Sequence, residues 1–312
     1  MKTKNYLFVM LIALMLSACN DTDGIIPPLD EQPITVTADV IQHTRAGYQS
    51  GGLMPEEFVM DISQNGDAKF DYSLVTMKKD KGANTYSADR VLLWADDTPH
   101  SATVKAMTIP MGLTNVDETN VMKVNVSLQQ NDKSNVVASD LLGATSTSNG
   151  GITIKDSNIN IEFQHLLSKL DISYSFDSEI EGESIDVNSI TLQNICTTGG
   201  YSYANMALDA TNISCGNIAM FHSSTEDRKG TAEAIFYPYK PTEDPILVIN
   251  ATINNVNCNF SCPVKLNNAN GFIGGKRYTM NVSIIGTSVS GTNATIANGW
   301  DTNTEGQSFV TE

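Results

Sequence analysis

Positive charge is scarce in this sequence: 19 Lys and Arg stand against 35 Asp and Glu, a formal charge of −16. A surface of that sign repels backbone phosphates, which excludes nucleic acid as a partner. Aromatic residues make up only 7% of the chain, too few to surround the acids of a sugar-cleaving site. The adjacent Asp96 and Asp97 therefore read as solvated loop carboxylates, and Trp94 and Trp300 as packing residues. The four histidines, His43, His100, His165 and His222, lie far apart in dissimilar surroundings. No Gly-x-Ser-x-Gly, His-Glu-x-x-His, phosphate loop or dinucleotide fingerprint occurs. With no convergent set of reactive groups, no catalytic residue, metal or cofactor is expected. Long helical periodicity is missing too, apart from brief candidates at residues 139–142 and 164–167, which argues against a parallel sheet with helical crossovers.

What is present begins at the N-terminus. Lys2 and Lys4 precede an apolar run from Tyr6 to Leu16, shorter than the roughly 20 residues that span a bilayer. Small residues follow, Ser17 and Ala18 before Cys19, which is the layout of a signal peptide covering residues 1–18. Leu16-Ser17-Ala18-Cys19 resembles a bacterial lipobox, which implies diacylglycerol on the Cys19 thiol. Each buried acyl methylene contributes about 0.8 kcal/mol to such an anchor. Residues 19–33 are then a lipidated linker.

Beyond the linker, period-two alternation dominates and predicts half-buried strands. Ile34, Val36, Ala38 and Val40 share one face, with Thr35, Thr37 and Asp39 on the other. Met122, Val124, Val126 and Leu128 repeat the pattern, as do Ile159, Ile161 and Phe163, and Leu170, Ile172, Tyr174 and Phe176. The run 246–253, the turn Asn254-Asn255 and the alternation from Val256 to Leu266 predict a hairpin. Short strands separated by Gly, Asn, Asp and Pro indicate an all-β chain of antiparallel sandwiches. Its length allows two cores, one over residues 34–160 and one over residues 161–312 that includes a C-terminal tail.

Four cysteines follow Cys19, namely Cys196, Cys215, Cys258 and Cys262. An exported chain can oxidise them, and four cysteines allow three pairings that sequence does not choose between. Cys258 and Cys262 flank Phe260 on one strand face and read as core positions. No Cys-x-x-Cys with a nearby His supports zinc.

Several stretches together resemble the fimbrillin family, the subunits of type V pili in the Bacteroidetes. They are the Cys19 lipobox, the strand ending at His43-Thr44-Arg45-Ala46-Gly47, Asp140-Leu141-Leu142, and Phe163 to Leu170 at the junction of the halves. Near the C-terminus come Gly274-Gly275-Lys276-Arg277-Tyr278-Thr279 and Ile296-Ala297-Asn298-Gly299-Trp300. The resemblance implies two transthyretin-like sandwiches in tandem, assembly with other fimbrial subunits as a homo- or heteropolymer, and attachment to the outer membrane through Cys19. It also implies that an arginine-specific protease removes the first strand, so that a neighbour's strand fills the groove.

Two features bear on that scheme. Between Cys19 and Arg45 there is no other Lys or Arg, so a cut between Arg45 and Ala46 would discard anchor and first strand together; alternatively Arg45 is a plain loop residue. The segment from Thr287 onward, carrying Val289, Ile296, Trp300 and Phe309, is the candidate donor tail, or else a folded last strand and a loose end. The expected function is thus a fimbrial subunit contributing to adhesion. The alternative is a monomeric, lipid-anchored surface protein that binds a glycan or a host protein.

Overall fold

Alternation in the sequence becomes strand in the molecule almost throughout. The computed structural model describes residues 33–40, 54–64, 68–95, 102–146, 151–155, 157–178, 184–226, 228–266, 270–286 and 288–296. The first strands are β1 (Thr35–Val40), β2 (Glu57–Ser63), β3 (Tyr72–Lys79), β4 (Thr85–Ala88), β5 (Thr103–Met107) and β6 (Met122–Asn125). Then come helix α1 (Lys133–Ala138), β7 (Leu142–Thr145), β8 (Ile152–Lys155), β9 (Asn158–His165), β10 (Ser168–Phe176), β11 (Ile185–Ser202) and β12 (Ala207–Ala219). The chain continues through β13 (Phe221–Glu226), β14 (Lys229–Phe236), β15 (Ile246–Ile253), β16 (Val256–Pro263), β17 (Arg277–Ile285), β18 (Ser288–Gly291) and β19 (Thr295–Ile296).

Eight strands form one sheet in the order β1-β4-β3-β2-β5-β7-β9-β8, and β1 also pairs with β9, so the sheet closes on itself. The sequence led us to expect two separate sheets for residues 34–160. One continuous sheet results because β1 bridges what would otherwise be two edges. Its interior holds Val36, Phe58, Met60, Tyr86, Trp94 and Phe163.

The second half has two sheets, β13-β14-β10-β17-β18 with β19 on β17, and β12-β11-β15-β16 with β6 on β11. Ile172, Tyr278 and Val282 from the first of these share a buried cluster with Leu192, Leu247 and Phe260 from the second. Phe176 meets Phe260 edge-on across the gap, with ring centroids 5.9 Å apart. Among the described strands pairing is antiparallel except between β1 and β9 and between β10 and β17. The second core also draws on the first half, since Val116, Met122, Val124, Val136 and Leu141 pack into it and β6 pairs with β11.

The β15–β16 hairpin has Ile253 opposite Val256. Asn254 and Asn255 between them have φ of 49° and 63°, the left-handed pair that a type I′ turn needs and asparagine tolerates. Neither helical candidate is a helix. Residues 139–142 follow α1, with Ser139 as its C-cap, and Leu142 already opens β7; residues 164–167 end β9 and lead into β10. Leu141, Leu142 and Leu167 are buried at strand ends where the chain passes between cores. His165 Nδ1 lies 2.9 Å from Asp140 Oδ2 there, both side chains enclosed. The motif at residues 163–170 touches the one at 274–279: Gly275, at φ 71°, donates its N–H to Leu167 O at 2.8 Å. The Lys169 N–H reaches Lys276 O at 3.0 Å.

Candidate functional site

The position of β1 is the feature with functional weight. Its β-branched alternation favours an extended strand and divides its side chains between two environments. Val36 and Val40 are each 1% exposed, and Ile34 and Ala38 are buried beside them. Burying a large aliphatic side chain contributes about 1.5–3 kcal/mol, so three of them contribute on the scale of a whole domain's net stability, about 5–15 kcal/mol.

Pairing along β1 is unequal. Against β9 it runs parallel through six register pairs, from Thr35 with Asn158 to Val40 with Phe163. Against β4 it has only two, Val36 with Tyr86 and Thr37 with Thr85, followed by a long bond from the Ala38 N–H to Asn84 O at 3.4 Å. Asp39 accepts the N–H of Val40 through its own carboxylate at 2.8 Å. On the outer face Thr35 donates to Asn158 Oδ1 at 2.9 Å and Thr37 to Asn160 Oδ1 at 2.5 Å. Beneath the strand Phe58 packs against Tyr86 at 4.8 Å and Phe163 at 5.1 Å between centroids. These are the rings that stand beside Val36 and Val40 in register. In the intact chain β1 is thus an inner strand, and a groove would open only after it leaves.

Cys19, Arg45, Ala46, Trp300 and Phe309 lie outside the described residues, as do His43, His100, Asp96 and Asp97. Val289 sits half-buried in β18 opposite Ile284, and Ile296 in β19 opposite Tyr278. These two members of the candidate tail occupy this subunit's own sheet, where they satisfy the edge of β17; Thr279 and Thr295 hydroxyls meet at 3.1 Å. Cys196 and Cys215 are register partners across β11 and β12, joined as a disulfide. Cys262 is buried and Cys258 half-buried, both as free thiols. Burial pushes the Cys262 thiol up to about 11. Among the described residues no group of three or more His, Cys, Asp and Glu is placed to hold a metal, and no helix is long and apolar enough to cross a membrane.

Sequence reading missed Asn158 and Asn160, whose amides take the β1 hydroxyls. The signal was their alternation with Ile159 and Ile161, but nothing local names β1 as their partner. It also missed a link between the two halves. Tyr203, beyond the end of β11, donates its hydroxyl to Asp61 Oδ1 on β2 at 3.0 Å. Lys105 on β5 stands 4.2 Å from the centre of the Tyr203 ring and 3.1 Å from Asp61 Oδ2. Burial first, then the Asp61 charge, pushes the Tyr203 phenol far above its usual range.

Residues 58–300 match the model of the family described as fimbrillin-like. The chain belongs to the fimbrillin-like family. That family is structural and adhesive rather than enzymatic, and membership implies a cell-surface fimbrium and association with other fimbrial subunits. Among solved structures, this fimbrillin-like chain is similar to a candidate cell adhesion protein from Bacteroides uniformis. The two are 16% identical with a TM-score of 0.59, over 86% of this chain and 99% of that one. A second candidate cell adhesion protein, from Bacteroides ovatus, is 14% identical with a TM-score of 0.58, over 90% and 99% of the two chains. The likeness is one of fold. No curated protein matches the chain.

Proposed function

We propose that this fimbrillin-like protein is a structural subunit of a type V pilus, exported as a lipoprotein precursor anchored through Cys19, assembled by strand exchange and contributing to adhesion. The observation that carries this reading is the place of β1. It closes the first sheet between β4 and β9 and supplies one row of the core, yet its covalent link onward to β2 runs through residues 41–56, where Arg45 offers a cut.

Removing β1 would leave the main-chain groups of β9 and β4 unpaired over an apolar trough, both costly in water. A strand from a neighbour would satisfy them, main-chain bonds giving affinity and alternate pockets giving specificity. In this reading the halves are two transthyretin-like units divided between β9 and β10, and the segment from residue 297 onward, with Trp300 and Phe309, extends to the next subunit. N-terminal sequencing of protein sheared from the cell surface tests it. A start at Ala46 is expected, and deletion of residues 297–312 is expected to leave folded protein that no longer enters fibres on the cell surface. A start at Cys19 in polymeric material would overturn the cleavage step.

One observation favours a second reading. The ring is complete in the uncut chain, with six register pairs holding β1 to β9, as a monomeric lipid-anchored binder of glycan or host protein would require. Surface protein that is monomeric and begins at Cys19 would select it.

A further inference from the structure

The side chains of β1 define what can replace it, and that template can be laid over the rest of the chain. Four inward positions alternate along the strand as Ile34, Val36, Ala38 and Val40, all buried. The third is small. Its neighbours Val36 and Val40 stand in register with Tyr86 and Phe163, and both rings pack on Phe58, so the space below the middle of the strand is filled by aromatic side chains. The two outward hydroxyls of Thr35 and Thr37 meet Asn158 and Asn160.

Residues 287–312 meet this template poorly in every frame. The best frame places Ala294, Ile296, Asn298 and Trp300 on one face. All other frames offer at most two apolar residues. Within the best one, Asn298 falls at the Ala38 position, where its amide would be buried without a partner, and Trp300 falls at Val40, where an indole overfills a valine's site. The first two residues are already committed: Ala294 is fully buried in the second core and Ile296 pairs with Tyr278.

We infer that the place of β1 is shaped for a strand of a different polypeptide, running parallel to β9 and presenting aliphatic, aliphatic, alanine-sized and aliphatic side chains in alternation. This chain's own C-terminal segment does not fill it, and the cut after Arg45 removes residues 33–41 from every mature copy, so the protein assembles with unlike subunits rather than with copies of itself. The inference rests on the strand-exchange reading above and selects the partner within it.

The test uses the full chain with a site-specific protease sequence at residues 42–46, cut after folding, so that β1 stays in place until exchanged. Fluorescent peptides are offered and their entry followed by anisotropy. A peptide of residues 33–41 is expected to replace the cut strand. A peptide of residues 287–312 is expected to bind about 100-fold more weakly, reflecting one overfilled site and one buried amide. The same tail peptide carrying Asn298→Ala and Trp300→Val should recover at least about tenfold of that, and Ala38→Leu in the first peptide should lose about tenfold. The cut protein alone should stay monomeric. A tail peptide that binds within about tenfold of residues 33–41, or cut protein that polymerises by itself, overturns the choice of an unlike partner while leaving strand exchange intact. Failure of residues 33–41 to enter at all sinks the strand-exchange reading, and the inference with it.

Discussion

Gln130 is a polar side chain with no exposed surface, and it works as a substitute strand. Its amide oxygen accepts the Ile235 N–H at 2.8 Å, and its nitrogen donates to Ile235 O at 2.6 Å and Ser127 O at 3.0 Å. Both main-chain groups of Ile235 are thereby paired past the end of β13. Gln130→Ala strands them in the core, and a loss of about 2–4 kcal/mol in urea unfolding is expected from two unmet buried groups. Cys262 gives a second test. With its thiol held near 11 by burial, iodoacetamide at pH 8 should label Cys258 first and reach Cys262 only on unfolding; equal native rates would contradict the packing. For His222, burial lowers the folded value below the ordinary 6.5. The unfolded chain therefore binds more protons just below pH 6.5, and stability falls as pH drops through that window. A His222→Asn variant should show a flatter stability profile between pH 7 and 5. Cys262 was legible as a core position in the alternation around Phe260, and the other two environments were not. Gln130 and His222 are unremarkable in their local patterns, and only the approach of β14, with Ile235 beside Gln130 and Ala232 beside His222, decides their surroundings.

At the scale of elements, individual strands and the β15–β16 hairpin were readable, and the long-range partners were not. The alternation at Ile34 to Val40 and the Asn254-Asn255 turn follow from local chemistry, and β1 and the β15–β16 hairpin are where that chemistry puts them. The closure of the first sheet depends on Thr35 finding Asn158, 123 positions away, and no local pattern encodes such a pairing. The brief helical candidates at 139–142 and 164–167 misled for the same reason, because Leu141, Leu142 and Leu167 are buried by tertiary contacts at strand ends rather than along a helix. The long β11–β12 hairpin is cross-linked by Cys196 and Cys215, 19 positions apart. Replacing both with serine should cost about 3 kcal/mol through the larger entropy of the unfolded chain, measured as a lower midpoint in guanidinium. No change in midpoint would mean that the bond constrains little.

At the scale of the molecule, the two cores are not independent. The chain leaves the first sheet after β5, passes β6 and α1 against the second core, and returns as β7. The Tyr203 hydroxyl on Asp61 adds a second tie between the halves. Calorimetry should therefore record one cooperative transition, and two well-separated transitions would show that the excursion carries little coupling. Composition and alternation made the all-β class legible. The excursion was not, because Met122, Val124 and Val126 alternate identically whichever core receives them.

That excursion matters for a fibre under load. A subunit whose halves met only at one linker would extend like beads on a string when flow pulls on the cell surface. A pull that slid β6 along β11 would load Asn125, Val124, Lys123 and Met122 against residues 198–201 in shear. Bonds strained side by side resist far more than bonds peeled one after another, so under such a pull the joint would yield late and as a unit.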